Sequence, residues 1–445
     1  MHDKRPNIIF IVADDLGFAD LGCYGGRDAP FGKVSPVIDA LAANGLRFTQ
    51  GYANAPVCSP TRFGLMTGRY QYRLRGAAEE PISSKTRGNT VLGLPPEHPT
   101  LPSLLQGAGY RTALIGKWHL GFPPAFGPLR SGYQEFFGPM AGGVDYFTHR
   151  ASNGMDDLWE GEQERAEPGY LTDLISKRAV DYVQRMAGQE APFFLSLHHT
   201  APHWPWETRE DQALAPKIAA NLMHAEGGSV QIYQRMIQHM DEGIGWLVDA
   251  LRRNGQLKNT LIVFTSDNGG ERFSDNWPLV GGKMDLTEGG IRVPWIAHWP
   301  PAIAPGGLSA QPCMTMDWTA TMLDIAGVAP HADFPLDGLS MASVLRAPQS
   351  ERAQCEFHRP MFWRMKHRGQ RAMRDGRWKY LRVDGIDYLF NIANDERERA
   401  NQARQEPERL AAMRAAWEAW NLTMPAIPEE AGVYLGYTPQ DMPAR

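Results

Sequence analysis

Short, nearly unbroken apolar runs recur along the chain, and each closes on a cluster of polar or ionisable residues. Residues 7–13 form such a run and end at Asp14-Asp15; residues 110–115 end at Gly116-Lys117-Trp118-His119. Residues 192–197 open into a stretch that contains His198, His199 and His203, and residues 260–265 stop at Ser266-Asp267-Asn268. Continuous apolar runs of this length predict strands buried on both faces, as in a parallel sheet. Between them lie stretches of helical period. Residues 34–44 predict a helix with Pro36 in its first turn and Gly45 beyond its end, and Thr100 caps a helix that reaches Gly107. Residues 170–186 carry an apolar stripe, as do residues 233–251, which Gly255 closes. Residues 48–53 and 294–299 read as further strands and 317–325 as a further helix. Alternating strands and helices predict an α/β fold around a large mixed, mostly parallel sheet sandwiched by helices.

The pattern changes near residue 347, where strands begin to outnumber helices. Residues 371–374 and 377–383, around a turn at Asp375-Gly376, predict a β-hairpin. Residues 388–392 add a strand and 407–420 a helix. The expected division is a large domain over 1–346 and a small α+β domain with an antiparallel sheet over 347–445, its tail from Asn421 packing back on the large domain. Two segments lack periodicity. Residues 76–99 are expected as a surface excursion near the site, and residues 122–169 as binding loops. The second segment includes an acidic patch of Asp156, Asp157, Glu160, Glu162 and Glu164, expected as solvated loop.

Composition narrows the function. A chain of 445 residues, 43% hydrophobic and 21% charged, is ordinary for a soluble protein of two or three domains. A net charge of -5 leaves no basic footprint for nucleic acid or an anionic membrane, and neither partner is expected. The apolar run at 8–13 is too short for a signal peptide core and ends in two acids, so a cytoplasmic location, or a chain whose leader has been removed, is expected. Cys23, Cys58, Cys313 and Cys355 show neither disulfide-framework nor zinc spacing, and no disulfide is expected.

The chemistry gathers around residues 56–69. Cys58, Pro60 and Arg62 form a CxPxR pattern, with Pro60 suited to the first position of a helix. Cys58 then lies at a helix N-terminus, where unpaired amides and the dipole stabilise a nucleophile or a bound anion. Taken singly, each polar group has a plain structural reading: Cys58 as a small core residue, an aspartate as a helix cap, Lys117 as solvated, His119 as structural. A parallel sheet, however, brings strand ends to one edge, so that five separate ends converge on one cleft. Asp14, Asp15, Asp267 and Asn268 supply hard oxygen ligands suited to Ca²⁺ or Mg²⁺, with residue 58 a possible fifth. The histidines at 198–203 lack further ligands of fitting spacing and suit proton transfer better than a transition metal.

Two stretches, residues 56–68 and the run Gly109 to His119, resemble the signatures of the type I sulfatases, the formylglycine-dependent branch of the alkaline phosphatase superfamily. Asp14-Asp15, Pro202-His203, Ser266-Asp267-Asn268 and Gly282-Lys283 fall in that family's order. The likeness is close over the large domain and loose beyond it. It implies an alkaline phosphatase-like fold and hydrolysis of an aryl or carbohydrate sulfate. The alternatives are a phosphonate monoester or phosphodiester hydrolase with the same nucleophile, and, from a different class, a non-catalytic binder of sulfated ligands. It further implies that a formylglycine-generating maturation enzyme converts Cys58. Asp14, Asp15, Asp267, Asn268 and residue 58 would hold Ca²⁺, with Mg²⁺ or Mn²⁺ as alternatives. Lys117 and Lys283 would neutralise sulfate oxygens, Arg62 orient the modified side chain, His203 protonate the leaving oxygen and His119 take up the remaining hydroxyl proton. Asp145, Tyr146, His149 and Trp204 are the expected contacts to a small sulfated substrate, with Trp159, Trp206 and Trp277 as further aromatic candidates. Nothing in the sequence fixes an oligomeric state.

Overall fold

The computed structural model describes residues 5–26, 32–74, 81–223, 227–429 and 431. In chain order the strands of the large domain are β1 (Asn7–Ala13), β2 (Leu46–Phe48), β3 (Gly51–Tyr52), β4 (Arg111–Gly116), β5 (Glu135–Gly138), β6 (Trp159–Glu160), β7 (Gln163–Glu164), β8 (Phe193–His198), β9 (Thr260–Ser266), β10 (Trp295–His298), β11 (Gly307–Ser309) and β12 (Cys313–Met314). Ten of them form one sheet in the order β11-β2-β10-β9-β1-β8-β4-β5-β6-β7. The central five, β9, β1, β8, β4 and β5, are parallel, and β10, β6 and β7 run antiparallel to their neighbours. Helices pack against this sheet, the longest being Val230–Arg253, which lies against Leu171–Arg185. Every residue of β8 and β9, and all of β1 after Asn7, is buried, as the unbroken apolar runs require. Among the described residues no helix is long and apolar enough to cross a membrane.

Several elements differ from the sequence expectation. The stretch at 48–53 is two short strands, because the chain leaves β2 in the large sheet and turns to pair Gly51–Tyr52 with β12. A side chain at Gly51 would collide with the Trp295 indole, its Cβ only 1.8 Å from Cδ1. Residues 122–169 are not simply loop: β5, β6 and β7 extend the sheet. The acidic patch is not simply loop either, although Asp156, Glu162 and Glu164 are exposed as expected. Glu160 pairs with Arg178 and Arg165, Glu162 with Arg130, Glu164 with Arg87 and Asp156 with Arg150. Asp157 is buried, accepting hydrogen bonds from the Ala141 amide and the Trp159 indole.

The C-terminal sheet is antiparallel, in the order β13 (Met361–Met365), β14 (Gln370–Asp375), β15 (Trp378–Val383), β16 (Ile386–Asn391). Its middle hairpin is the expected one; β13, buried on both faces, completes it. Helix Pro407–Asn421 lies on this sheet, with the Trp417 indole donating to the Trp363 carbonyl. The described part of the tail follows β13, where Arg364 holds Asn421 and the Pro425 carbonyl. Trp420, just before the tail, stands edge-on to Tyr70 and Tyr72 of the large domain, and Met424 is buried in the core that these tyrosines share. The rest of the tail, Ala431 apart, lies outside the described residues.

A second hydrophobic core joins the two sheets, mixing Trp363, Met373 and Tyr380 with Tyr52, Val57, Cys58 and Met284 of the large domain. Across this junction runs a fully buried charge cluster. Lys379 Nζ lies 2.9 Å from Glu288 and 2.8 Å from Glu398, and Glu288 also accepts the Tyr52 hydroxyl.

Candidate active site

Four consecutive strands of the sheet, β9, β1, β8 and β4, deliver their C-terminal ends to one place. Backbone hydrogen bonds fix the turns that follow: Asp267 N to the Ala13 carbonyl, Asp14 N to Ala201, Lys117 N to His198. Asp15 and His119 both adopt positive φ, 63° and 59°, a conformation costly for non-glycine residues and often kept at functional sites. Helix Cys58–Thr67 points its N-terminus into this region. The helix begins at Cys58 itself, so Pro60 stands third rather than first. Proline is accommodated throughout the first turn because those amides have no partner within the helix.

The charges pair tightly. Lys117 Nζ lies 2.5 Å from Asp14 Oδ2, and Lys283 Nζ 2.7 Å from Asp15 Oδ2. Arg62 clamps Asp267 Oδ2 through Nε and Nη2, at 3.1 and 2.9 Å, and its Nη1 donates to the Lys117 carbonyl and to His198 Nδ1. Asn268 Nδ2 donates to Asp15 Oδ1. Two oxygens nevertheless have no hydrogen-bond partner: Asp14 Oδ1, with Arg62 Nη2 3.9 Å away, and Asn268 Oδ1, both fully buried. Orphaned buried carbonyl and carboxylate oxygens are costly unless something cationic or protic meets them. One ligand atom each from Asp14, Asp15, Cys58 and His203 also lie within 4.8 Å of one another. This donor set fits a hard divalent cation.

Burial and charge set the protonation states. Burial alone would raise the Asp15 carboxyl, but Lys283, His203 and Lys117 outweigh it and hold it well below the carboxylate range. Burial, with Asp14 close by, pushes Asp267 up to about 7 against the pull of Arg62. Burial raises the Cys58 thiol despite the nearby lysines, so an unmodified Cys58 is a neutral thiol and a poor nucleophile. Burial lowers both His119 and His203, aided by Lys117 and Lys283 respectively. Backbone carbonyls choose the tautomers: His119 Nε2 donates to Ile82, leaving Nδ1 unshared, and His203 Nδ1 donates to Trp204, which leaves Nε2 facing Asp15 Oδ2 at 3.5 Å.

A cavity of about 340 Å³ opens above Cys58, with His119, His203, Lys283 and Trp204 in its walls. Gly142 makes room for His119, since a Cβ there would come within 2.4 Å of the ring. Of the expected substrate contacts, Trp204 lines this cavity, whereas Asp145, Tyr146 and His149 are buried behind it. The Tyr146 hydroxyl donates to the Thr200 and His203 carbonyls, Asp145 accepts the Phe147 and Thr148 amides, and His149 faces the Gly169 carbonyl. These three support the wall; they do not form it. Trp159 is pinned to Asp157 and Trp206 packs on Phe273, while Trp277 is exposed beneath Arg397. Residues 81–85 of the expected excursion do reach the cavity; residues 76–80 lie outside the described residues.

Sequence reasoning gave no role to His198 as partner of Arg62, to the Ile82 carbonyl, or to Glu207. Glu207 is buried, and burial with Asp145 beside it raises its carboxyl to about 9. A carboxyl that stays protonated in the fold but ionises at about 4.5 when unfolded lowers stability as pH rises between those values. Glu207→Gln should therefore gain on the wild type by roughly 1 kcal/mol per pH unit from pH 5 upward. Denaturant unfolding at several pH values measures that gap, and a constant gap would refute the raised carboxyl.

A mostly parallel sheet whose strand ends surround a helix N-terminus with carboxylates, lysines and imidazoles defines a hydrolase for anionic esters. The sulfatase family model matches residues 6–328. N-acetylgalactosamine-6-sulfatase of Mus musculus is 31% identical over 83% of this chain, and arylsulfatase A of Homo sapiens 32% identical over 84%. The chain spans 70% and 74% of these two relatives, and 65% of the Sus scrofa N-acetylgalactosamine-6-sulfatase. The solved structure of Ps i-CgsB in complex with k-i-k-neocarrahexaose superposes with a TM-score of 0.83 at 33% identity, covering 95% of this chain and 94% of that one. The chain belongs to the sulfatase family, whose members are sulfuric ester hydrolases of the alkaline phosphatase superfamily.

Proposed function

We propose that this protein hydrolyses the sulfate monoester of an aryl alcohol or carbohydrate to the alcohol and inorganic sulfate, using formylglycine made from Cys58 and a divalent cation, Ca²⁺ by preference. The observation that carries this reading is the pair of orphaned oxygens, Asp14 Oδ1 and Asn268 Oδ1, buried beside Cys58 with Lys117 and Lys283 on either side. Asp14, Asp15, Asn268 and Asp267 would hold the cation, which supplies Lewis-acid stabilisation of negative charge on sulfate oxygens. Hydrated formylglycine supplies two hydroxyls on one carbon, a nucleophile and an exit route that a cysteine or serine ester lacks.

The chain's own residues do the rest. Lys117 and Lys283 meet sulfate oxygens as charge builds on them. Arg62, fixed between Asp267 and the Lys117 carbonyl, holds the base of the nucleophile helix in register with β9 and β4. His203 presents Nε2 to the cavity; protonated there, as the sulfate's negative charge favours, it delivers that proton to the leaving oxygen. His119, with Nε2 committed to Ile82, receives a proton at Nδ1.

Parallel rates on an aryl sulfate, a phosphodiester and a phosphonate monoester test the substrate class; faster turnover of either phosphorus ester than of the sulfate would overturn it. Asp14→Ala should lose the bound divalent cation while remaining folded. Metal analysis of the purified proteins checks this, and an unchanged cation content would remove Asp14 from the ligand set.

A further inference from the structure

Behind the cavity wall two fully buried carboxyl groups, Asp145 and Glu207, face each other. Asp145 Oδ1 accepts the Phe147 and Thr148 amides and Glu207 Oε2 accepts the Tyr146 amide, which leaves Asp145 Oδ2 and Glu207 Oε1 without a donor. Two ionised carboxylates so placed would repel each other and keep both oxygens bare. One proton on Glu207 Oε1, donated to Asp145 Oδ2, satisfies both at once. Burial beside Asp145 favours that protonated form.

The pair is coupled to the site through Tyr146. The Tyr146 hydroxyl lies 3.0 Å from both the Thr200 and the His203 carbonyls, the two ends of the turn that the His203 amide closes on Thr200. The Tyr146 ring stacks on Tyr170 with centroids 5.4 Å apart, and the Tyr170 hydroxyl donates to the Glu207 carbonyl. The Leu171 amide, at the start of its helix, fixes the Tyr146 carbonyl. A closed circuit of contacts therefore runs from the carboxyl pair through Tyr146 to the backbone of His203.

We infer that the Asp145–Glu207 pair, acting through the Tyr146 hydroxyl, is the positioning device for the His203 imidazole, holding the turn at 200–203 so that Nε2 points at the leaving oxygen. This rests on the sulfatase reading above and adds residues that never meet the substrate. A general acid donates only from within hydrogen-bond reach, and a displacement of about 1 Å forfeits much of its contribution. Glu207→Gln reproduces the neutral pair, since the new side chain accepts the Tyr146 amide with its oxygen and donates to Asp145 with its nitrogen.

The test compares kcat/KM on phenyl sulfate and 4-nitrophenyl sulfate, because protonation of the departing oxygen matters most for the more basic phenolate. Tyr146→Phe and Glu207→Ala should each lose roughly tenfold on phenyl sulfate and at most about twofold on 4-nitrophenyl sulfate, and Glu207→Gln should restore what Glu207→Ala loses. Adding Tyr146→Phe to His203→Ala should slow phenyl sulfate cleavage no further, since the same proton is already lost. Equal losses on the two esters, or losses that multiply in the double variant, overturn the positioning role. If Tyr146→Phe does not fold, Glu207→Ala against Glu207→Gln carries the same comparison. The His203 ring reports without turnover: nitrogen chemical shifts of histidine-labelled protein should show Nδ1 protonated in the wild type and in Glu207→Gln, and mixed tautomers in Tyr146→Phe and Glu207→Ala. A ring signal unchanged in both of the latter overturns the inference. A wild type that releases sulfate from neither ester nor from N-acetylgalactosamine 6-sulfate overturns the sulfatase reading, and the ring signal then decides the positioning role by itself.

Discussion

Cys58→Ala is expected to abolish sulfate release, with a fall in kcat on the order of 10⁴-fold or more, because the reaction has no second nucleophile to fall back on. The thiol sits at the N-terminus of its helix, buried, with Asp14, Lys117 and Lys283 close enough to influence its charge. Alanine preserves the helix and removes the reacting atom, so the variant should unfold at the same denaturant concentration as the wild type. Cys58→Ser is the informative companion. It restores a hydroxyl but not a second one on the same carbon, so it should release at most one equivalent of alcohol and then stall. Product release measured by rapid quench separates the two variants. Substantial steady-state turnover by Cys58→Ala would end the nucleophile assignment. Mass spectrometry of the peptide containing residue 58 completes the experiment, since formylglycine is lighter than cysteine.

The largest stability effect should come from Lys379→Ala, far from any reacting atom. Lys379 is fully buried between Glu288 and Glu398. Burial would raise Glu288, but Lys379 and Arg292 hold it ionised; Glu398 is raised by burial, to about 7, against the same lysine. Removing the lysine leaves the buried Glu288 carboxylate with the Tyr52 hydroxyl, Arg292 at 3.7 Å and Arg374 near it, but without its closest cation. Breaking such a pair costs about 3–5 kcal/mol, whereas neutralising all members together is often tolerated. Lys379→Met combined with Glu288→Gln and Glu398→Gln should therefore recover much of the loss. A single-variant cost below about 1 kcal/mol, or a triple variant no better than the single, would show that the cluster does not hold the two sheets together.

Much of the site is legible in the sequence because its groups follow directly on buried strands. Asp14, Lys117, His203 and Asp267 each come within a few residues of the end of an apolar run, and parallel neighbours must share an edge. What the sequence conceals is whatever depends on backbone atoms brought together by folding. The carbonyls of Ile82 and Trp204 decide which nitrogen of each histidine faces the cavity, yet a carbonyl leaves no mark in a residue pattern. Tyr146 and Asp145 look like substrate contacts because they are polar and lie in an irregular segment; their hydrogen bonds are spent on the backbone instead. The short strands β6 and β7 are missed for a related reason. They are two residues long and partly charged, with Trp159 their one buried apolar side chain, and ion pairs with Arg178 and Arg87 hold the rest.

All ten residues of helix Cys58–Thr67 are buried, Phe63, Leu65 and Met66 in one hydrophobic core and Cys58 in the other. The cavity above Cys58 admits a sugar, not an enzyme. If residue 58 is converted as proposed, the conversion must act while residues 56–69 are still an open strand of polypeptide, and maturation and folding would run as a race. Chains that closed first would be trapped, native in shape but inert. The specific activity of a preparation would then report how fast the chain was made relative to how fast it was modified.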